Sequence, residues 1–184
     1  SPTVAEILAS SGFDWLCVDM EHSVTDYKDA QLLITTIQGK GIRAYVRVGE
    51  NNPRIIKRVL DAGADGIIVP MVNTREDAQK AVMAVNYPPV GSRGVGLARA
   101  QGYGFEFDEY KNGKAKEILL IAQIEHIDAV NNLDEILSLD GIHGTIVGPY
   151  DLSGSMGKPG DYDDDDVKQV LNKYETVAKA YNKL

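Results

Sequence analysis

The sequence is poor in cysteine and in long apolar runs, and each shortage excludes a class of protein. A single cysteine among 184 residues cannot form an internal disulfide, so a cytoplasmic protein is expected rather than a disulfide-stabilised secreted one. No apolar run approaches the ~20 residues that a membrane-spanning helix needs, which predicts no membrane partner. A charged and apolar leader segment is also missing from the sequence as given.

Positive charge is in short supply as well. The chain has 19 Lys and Arg against 27 Asp and Glu, a formal net charge of −8 at pH 7, and this predicts no nucleic-acid partner. Part of the excess lies in residues 161–166, DYDDDD. This run lacks the alternating acceptors and the glycine of a calcium-binding loop. We interpret it as a loop and a helix start, where carboxylates suit the helix dipole.

What the sequence does contain is a repeated helix-to-strand unit. Three segments begin with glycine and continue into a short apolar strand: 12–19 (GFDWLCVD), 63–70 (GADGIIVP) and 141–148 (GIHGTIVG). Each follows a helical pattern, and a glycine that ends a helix before a buried strand is typical of such units. Two more apolar segments, 44–48 and 118–124, predict further strands.

Alternation of helices with continuous apolar strands predicts an α/β fold with a parallel sheet. The regular repetition favours a (β/α)8 TIM barrel over a doubly wound sheet. A whole barrel typically takes ~250 residues, and only about five βα units are found here. We therefore expect a single barrel domain over residues 1–184 that is incomplete at both ends, without its first strand and its last units. Segment 87–116 is predicted to be a long, ordered functional loop.

Polar side chains follow four of the five predicted strands, at the strand ends where parallel α/β folds place their chemistry. They are Asp19, Glu21 and His22 after the first strand, Arg47 after the second, Gln123, Glu125 and His126 after the fourth, and residues 148–151 after the fifth. Any one of them alone is interpreted as a cap or a surface ion pair. Together on one rim they predict a site, because half-buried charges need partners.

The residue types at this rim indicate metal-assisted chemistry. Glu125 and Asp151 offer hard oxygen ligands for Mg²⁺ or Mn²⁺ and leave positions open for a substrate. Arg47 offers a planar fork for a carboxylate or a developing oxyanion, and the backbone of residues 148–151 can bind an anion. Together these groups predict chemistry on a 2-oxo acid through an enolate.

A proton-transfer pair is predicted beside them. His22 can accept or donate a proton, as a histidine side chain does in acid–base catalysis, and Asp19 is expected to hold the other ring nitrogen. No lysine is found at a strand end, so a Schiff-base mechanism has no nucleophile among these residues.

Five segments in matching order resemble the class II, metal-dependent pyruvate aldolases, the family of 4-hydroxy-2-oxoheptanedioate aldolase and 2-dehydro-3-deoxyglucarate aldolase, and the resemblance runs over residues 1–184. The segments are GFDWLCVDMEHS, RVGENNPRIIKRVLDAGADGIIVPMV, YPPVGSRGVGLARAQGYG, IAQIEHIDAVNNLDEIL and GIHGTIVGPYDLSGSMG. The resemblance implies a (β/α)8 barrel in a homohexamer, a trimer of dimers. It also implies a Mg²⁺, Mn²⁺ or Co²⁺ ion and cleavage of a 4-hydroxy-2-oxo acid to pyruvate and an aldehyde, as in aromatic compound catabolism.

The resemblance also implies a role for each matching residue. By that likeness Glu125 and Asp151 bind the metal, Arg47 holds the keto acid, and His22 with Asp19 moves protons. Pyruvate-pocket and subunit-contact residues are implied in addition: Gln123, Gly148, Pro149, Tyr150 and Asp151 line the pocket, and Asp61 reaches a neighbouring subunit's site. The sequence departs from the usual family pattern at Met20, His126 and Tyr150.

Two other functions remain open at this point. One is a citrate-lyase-β-like C–C lyase that acts on acyl-CoA esters. The other is a non-catalytic oligomerising remnant, in which the rim charges form only ion pairs. The Asp19–His22 pair and the loop YPPVGSRG fit the aldolase better than the acyl-CoA lyase.

Overall fold

The computed structural model describes residues 1–184 and contains a five-stranded parallel sheet in the order β1-β2-β3-β4-β5. The strands are β1 Trp15–Asp19, β2 Arg43–Arg47, β3 Gly66–Val69, β4 Leu119–Ile124 and β5 Gly144–Val147. A doubly wound sheet reverses its strand order part-way, whereas a barrel keeps neighbours in chain order. The sequential order therefore confirms the α/β class and matches part of a TIM-barrel-like fold.

Nine α-helices connect and flank the strands. They are α1 Pro2–Ala9, α2 Tyr27–Gln38, α3 Pro53–Asp61, α4 Arg75–Val85, α5 Phe107–Asn112, α6 Ile127–Asn131, α7 Leu133–Leu137, α8 Pro149–Ser155 and α9 Asp165–Ala180. Helices α6 and α7 are two short helices on either side of Asn132. None of the helices has both the length and the apolar character that crossing a bilayer requires.

The two faces of the sheet differ because side chains alternate along each strand. Val46, Ile67 and Leu120 point to one face and belong to the main hydrophobic core, where they are almost fully buried. The other face carries Trp15 stacked on Tyr45, with ring centroids 5.0 Å apart. The polar rim lies at the carboxyl end of the sheet. The same alternation places its side chains on this second face.

Segment 87–116 is ordered, as predicted, and is fixed to the end of α3 by polar contacts. It contains α5 and two 3-10 helices, Arg99–Gly104 and Lys114–Lys116. The buried Arg93 pairs with Asp61 at 2.8 Å and donates to the Tyr110 hydroxyl at 3.0 Å. A buried guanidinium needs such partners, so this pair holds the segment in place.

The acidic run before α9 is a loop and a helix cap, as predicted. Asp164 is the N-cap of α9, and its carboxylate accepts from the backbone of Asp166 and Val167. Lys158 lies within 2.7 Å of Asp164 and Asp166, which balances part of the charge.

Candidate active site

Asp19 and Arg47 form a bidentate ion pair at the ends of β1 and β2. The two residues are direct partners in the strand register, so their side chains emerge beside each other. Arg47 Nε donates to Asp19 Oδ1 at 2.9 Å, and Nη2 donates to Oδ2 at 2.7 Å. This guanidinium holds the pKa of Asp19 below its usual range, because it stabilises the carboxylate.

The predicted contact between Asp19 and the His22 ring is wrong. Asp19 Oδ1 accepts instead from the backbone N–H groups of Glu21, at 3.0 Å, and His22, at 3.3 Å. This tight turn points the backbone, not the imidazole, at the carboxylate, and Arg47 donates to both of its oxygens. The ring is 61% exposed, and its Nε2 lies 3.8 Å from Glu21 Oε2.

Gln123 joins two carboxylates across the rim. Its Nε2 donates to Glu21 Oε2 at 3.2 Å and also to Glu125 Oε2, while its Oε1 accepts from Arg47 Nη1 at 3.4 Å. Burial raises the pKa of Glu21, and the nearby negative charge of Glu125 adds to the rise. Glu21 thus belongs to the site although no role was predicted for it. Its place two residues past a strand end was the only signal in the sequence.

Glu125 is a buried carboxylate without a positive partner. The residue is 2% exposed, and it accepts from Gln123 and from the backbone N–H of Met71, at 2.7 Å from Oε1. Met71 adopts a left-handed backbone with φ of 53°, a strained conformation that turns this N–H toward the site. The nearby Arg47 pairs with Asp19 and Glu21 instead. A buried charge without a counter-ion is costly, so the site fits a cation.

Glu125 and Asp151 line the same cavity, which has a volume of about 570 Å³. Asp151 lies in the first turn of α8 and is an exposed residue. No third Asp, Glu, His or Cys joins them in a metal-binding group. Two hard oxygen donors that leave further positions open suit Mg²⁺ or Mn²⁺. The residues present therefore fit a divalent ion.

Comparison with known proteins tests the resemblance drawn from the sequence. The family model described as HpcH/HpaI aldolase/citrate lyase matches residues 1–183. The chain belongs to this family. The predicted resemblance to pyruvate-type aldolases is thereby confirmed at the level of the family.

Named relatives in the HpcH/HpaI family are similar over most of this chain. A 2-keto-3-deoxy-L-rhamnonate aldolase of Klebsiella pneumoniae is 42% identical over 175 residues, which cover 94% of this chain and 65% of the relative. A 5-keto-4-deoxy-D-glucarate aldolase of Salmonella arizonae is 39% identical over 184 residues, which cover 100% of this chain and 72% of the relative. The chain thus spans about two thirds of the length of these curated relatives.

The fold is also similar to a solved structure. The crystal structure of an HpcH/HpaI aldolase/citrate lyase family protein from Burkholderia cenocepacia J2315 superposes with a TM-score of 0.93 at 34% identity. The match covers 98% of this chain and 73% of that one.

The end of β5 offers fewer backbone donors to an anion than the sequence predicted. In this HpcH/HpaI chain, the N–H of Gly148 donates to Ile124 O at 2.9 Å, and Pro149 has no N–H. The first-turn N–H groups of Tyr150 and Asp151 remain, at the positive end of α8. Gly148 itself is needed for packing, because a Cβ there would stand 2.9 Å from Glu125 Cβ.

Asp61 lies apart from this cavity. Its Oδ1 accepts from Arg93 Nη2 at 2.8 Å and from Gln101 Nε2 at 3.2 Å, both in segment 87–116. Within one chain, Asp61 therefore serves as an anchor for that segment, and it does not line the cavity of Glu125 and Asp151.

Proposed function

We propose that this protein is a carbon–carbon lyase, a metal-dependent aldolase that cleaves a 4-hydroxy-2-oxo acid to pyruvate and an aldehyde. The observation that carries the proposal is Glu125, a buried carboxylate without a counter-ion, in one cavity with Asp151. Membership of the HpcH/HpaI family and the names of the sugar-acid aldolases similar to this chain support it.

Glu125 and Asp151 hold the divalent ion in this proposal, with Mg²⁺, Mn²⁺ or Co²⁺ as the candidates. When bound, such an ion supplies Lewis-acid polarisation of the substrate's 2-oxo group. Gln123 keeps the Glu125 carboxylate oriented through its amide N–H. The first-turn N–H groups of Tyr150 and Asp151 favour a negative group nearby, such as the carboxylate of the 2-oxo acid.

Arg47 stabilises the negative charge that the reaction places on the pyruvate oxygen. Three of the five guanidinium N–H groups are used by Asp19 and Gln123, which leaves two for a substrate. Asp19 fixes the plane of the guanidinium, so these two donors are oriented before the substrate arrives. Donors that are already in place lower the barrier most where charge develops.

His22 moves the protons in the proposed reaction. The 4-hydroxyl loses its proton as the C3–C4 bond breaks, the aldehyde forms, and the bonding electron pair passes to the 2-oxo group to give the pyruvate enolate. A proton then adds at C3 to give pyruvate. The exposed imidazole beside Glu21 can accept the first proton and exchange it with solvent.

A homohexamer and a role for Asp61 in a neighbouring subunit's site are also proposed, on the family resemblance. Light scattering of the purified protein checks the hexamer. A cytoplasmic location, and the catabolic route that supplies the substrate, stay predictions from the sequence.

The test of the function is release of pyruvate from a 4-hydroxy-2-oxo acid, measured with a coupled lactate dehydrogenase assay. We expect turnover in Mg²⁺ or Mn²⁺, loss of turnover in EDTA and recovery when the metal is returned. Turnover that is unaffected by EDTA would contradict the metal role. Absence of pyruvate under all these conditions would contradict the aldolase.

A second candidate is C–C cleavage of an acyl-CoA ester, which the inclusion of citrate lyase in the family description favours. Release of acetyl-CoA from malyl-CoA, without pyruvate from the hydroxy acid, would support it. A purely structural role explains the Asp19–Arg47 pair, but it does not explain why Glu125 is buried without a counter-ion. Failure to bind Mn²⁺ in calorimetry would support that third interpretation.

A further inference from the structure

His126 presents a polar group to the cavity that the proposed cleavage does not use. It follows Glu125 directly, and His126 lines the cavity together with Glu125, Asp151 and Tyr150. The side chain is 33% exposed, so it is accessible to a small molecule in that cavity.

One ring nitrogen of His126 is already occupied. His126 is the N-cap of α6, and its Nδ1 accepts from the backbone N–H of Asp128 at 3.2 Å. Asp128 Oδ2 lies 3.3 Å from the same nitrogen. A neutral ring that accepts at Nδ1 carries its hydrogen on Nε2, and a protonated ring carries one on each nitrogen. Nε2 is therefore a hydrogen-bond donor in both charge states, and it has no partner in the protein.

Two other residues that line the cavity, Tyr150 and Ser155, surround the place where this donor could bind a ligand. The Tyr150 ring packs edge-on against Tyr162, with centroids 5.1 Å apart, and forms a flat aromatic surface on the same cavity. The Ser155 hydroxyl also lines the cavity, but it accepts from Ile127 N at 3.0 Å and donates to Leu152 O at 2.7 Å. Ser155 thus has no hydrogen left to donate, whereas His126 has one.

We propose that His126, through Nε2–H, binds a hydroxyl oxygen on the aldehyde half of the substrate. The residue then selects short hydroxylated aldehydes over unsubstituted aldehydes of the same length. This inference rests on the proposed aldolase function, because an aldehyde enters the cavity only in that reaction. A site that hydrogen-bonds a substrate hydroxyl rejects the analogue that lacks it.

The test compares lactaldehyde with propanal as acceptors for pyruvate, since these three-carbon aldehydes differ by one hydroxyl. The measured quantity is the ratio of the two kcat/KM values. His126→Asn keeps an acceptor for the α6 cap but has no group at the Nε2 position, and we expect it to lower the ratio about tenfold. His126→Gln is the matched variant, because its amide N–H reaches the Nε2 position, and we expect it to keep most of the preference.

Three outcomes would overturn the role of His126: no preference for lactaldehyde in the native protein, an unchanged ratio in His126→Asn, or equal losses in both variants. Exchange of the pyruvate methyl protons in D₂O, measured without aldehyde, separates this from the function itself. Native protein that shows neither exchange nor turnover contradicts the aldolase. Exchange and turnover with an unchanged ratio contradict only the role of His126.

Discussion

The two sides of the rim use their carboxylates in opposite ways. At the ends of β1 and β2, Asp19 is bound at both oxygens by Arg47, 27% of whose side chain is exposed. At the ends of β4 and β5, Glu125 is buried and accepts only neutral donors, and Asp151 is exposed beside it. On the first side Asp19 has a counter-ion from its own chain, whereas the second side lacks a positive charge. A strand-end carboxylate is thus a candidate ligand when its own chain leaves it without a cation.

The largest effect is expected from neutralising Glu125, on the side of the rim that lacks a positive charge. Glu125→Gln removes a ligand charge, and we expect Mn²⁺ affinity and metal-dependent kcat/KM to fall by about a thousandfold, since such an ion supplies several kcal/mol. Calorimetric titration with Mn²⁺ and the pyruvate assay measure the two quantities. Glu117→Gln, at an exposed position before β4, is the control. Equal affinity in native and Glu125→Gln protein would contradict the comparison.

A smaller effect is expected from removing the Arg47 side chain, on the other side of the rim. Arg47→Ala removes the donors for the enolate oxygen and leaves Asp19 unpaired, so we expect kcat/KM to fall about a hundredfold or more. Mn²⁺ affinity should change by much less, because Arg47 does not contact Glu125 or Asp151. Arg43→Ala, at the exposed start of the same strand, is the matched variant and should leave kcat/KM near the native value. If both variants lose activity equally, the loss comes from the strand rather than from the guanidinium.

The smallest effect is a pH dependence of stability. The folded pKa of Asp19 is lowered from 3.8, so its pairing with Arg47 stabilises the fold above the unfolded pKa. That contribution is lost as the pH falls through the folded pKa. Asp19→Asn should therefore be less stable than the native protein at pH 6, and the difference should shrink below pH 3.8. Urea unfolding across this range measures it, and a difference that grows on acidification would contradict the assignment.

The sequence was sufficient to predict the strands and the residues at their ends. Continuous apolar segments have few alternatives to buried parallel strands, and parallel strands bring their carboxyl ends to one rim. The strand ends therefore predict one site for Glu125 and Asp151, and the structure brings both into one cavity.

The orientation of side chains was less accessible to the same reasoning. Whether Asp19 meets the ring or the backbone of His22 depends on a turn of three residues and on competition from Arg47 across the strand register. The amide of Gln123 between two carboxylates likewise requires the ends of β1 and β4 to be brought together. Such contacts are set by tertiary packing, and spacing along the chain does not encode them.

Gly148 has a practical consequence for anyone who wishes to redesign the substrate range. Because a Cβ at this position would stand 2.9 Å from Glu125 Cβ, Gly148 cannot be enlarged without moving the carboxylate that we propose as a metal ligand. Mutant libraries are better directed at His126 and Tyr150, which line the same cavity and are not among the proposed metal ligands.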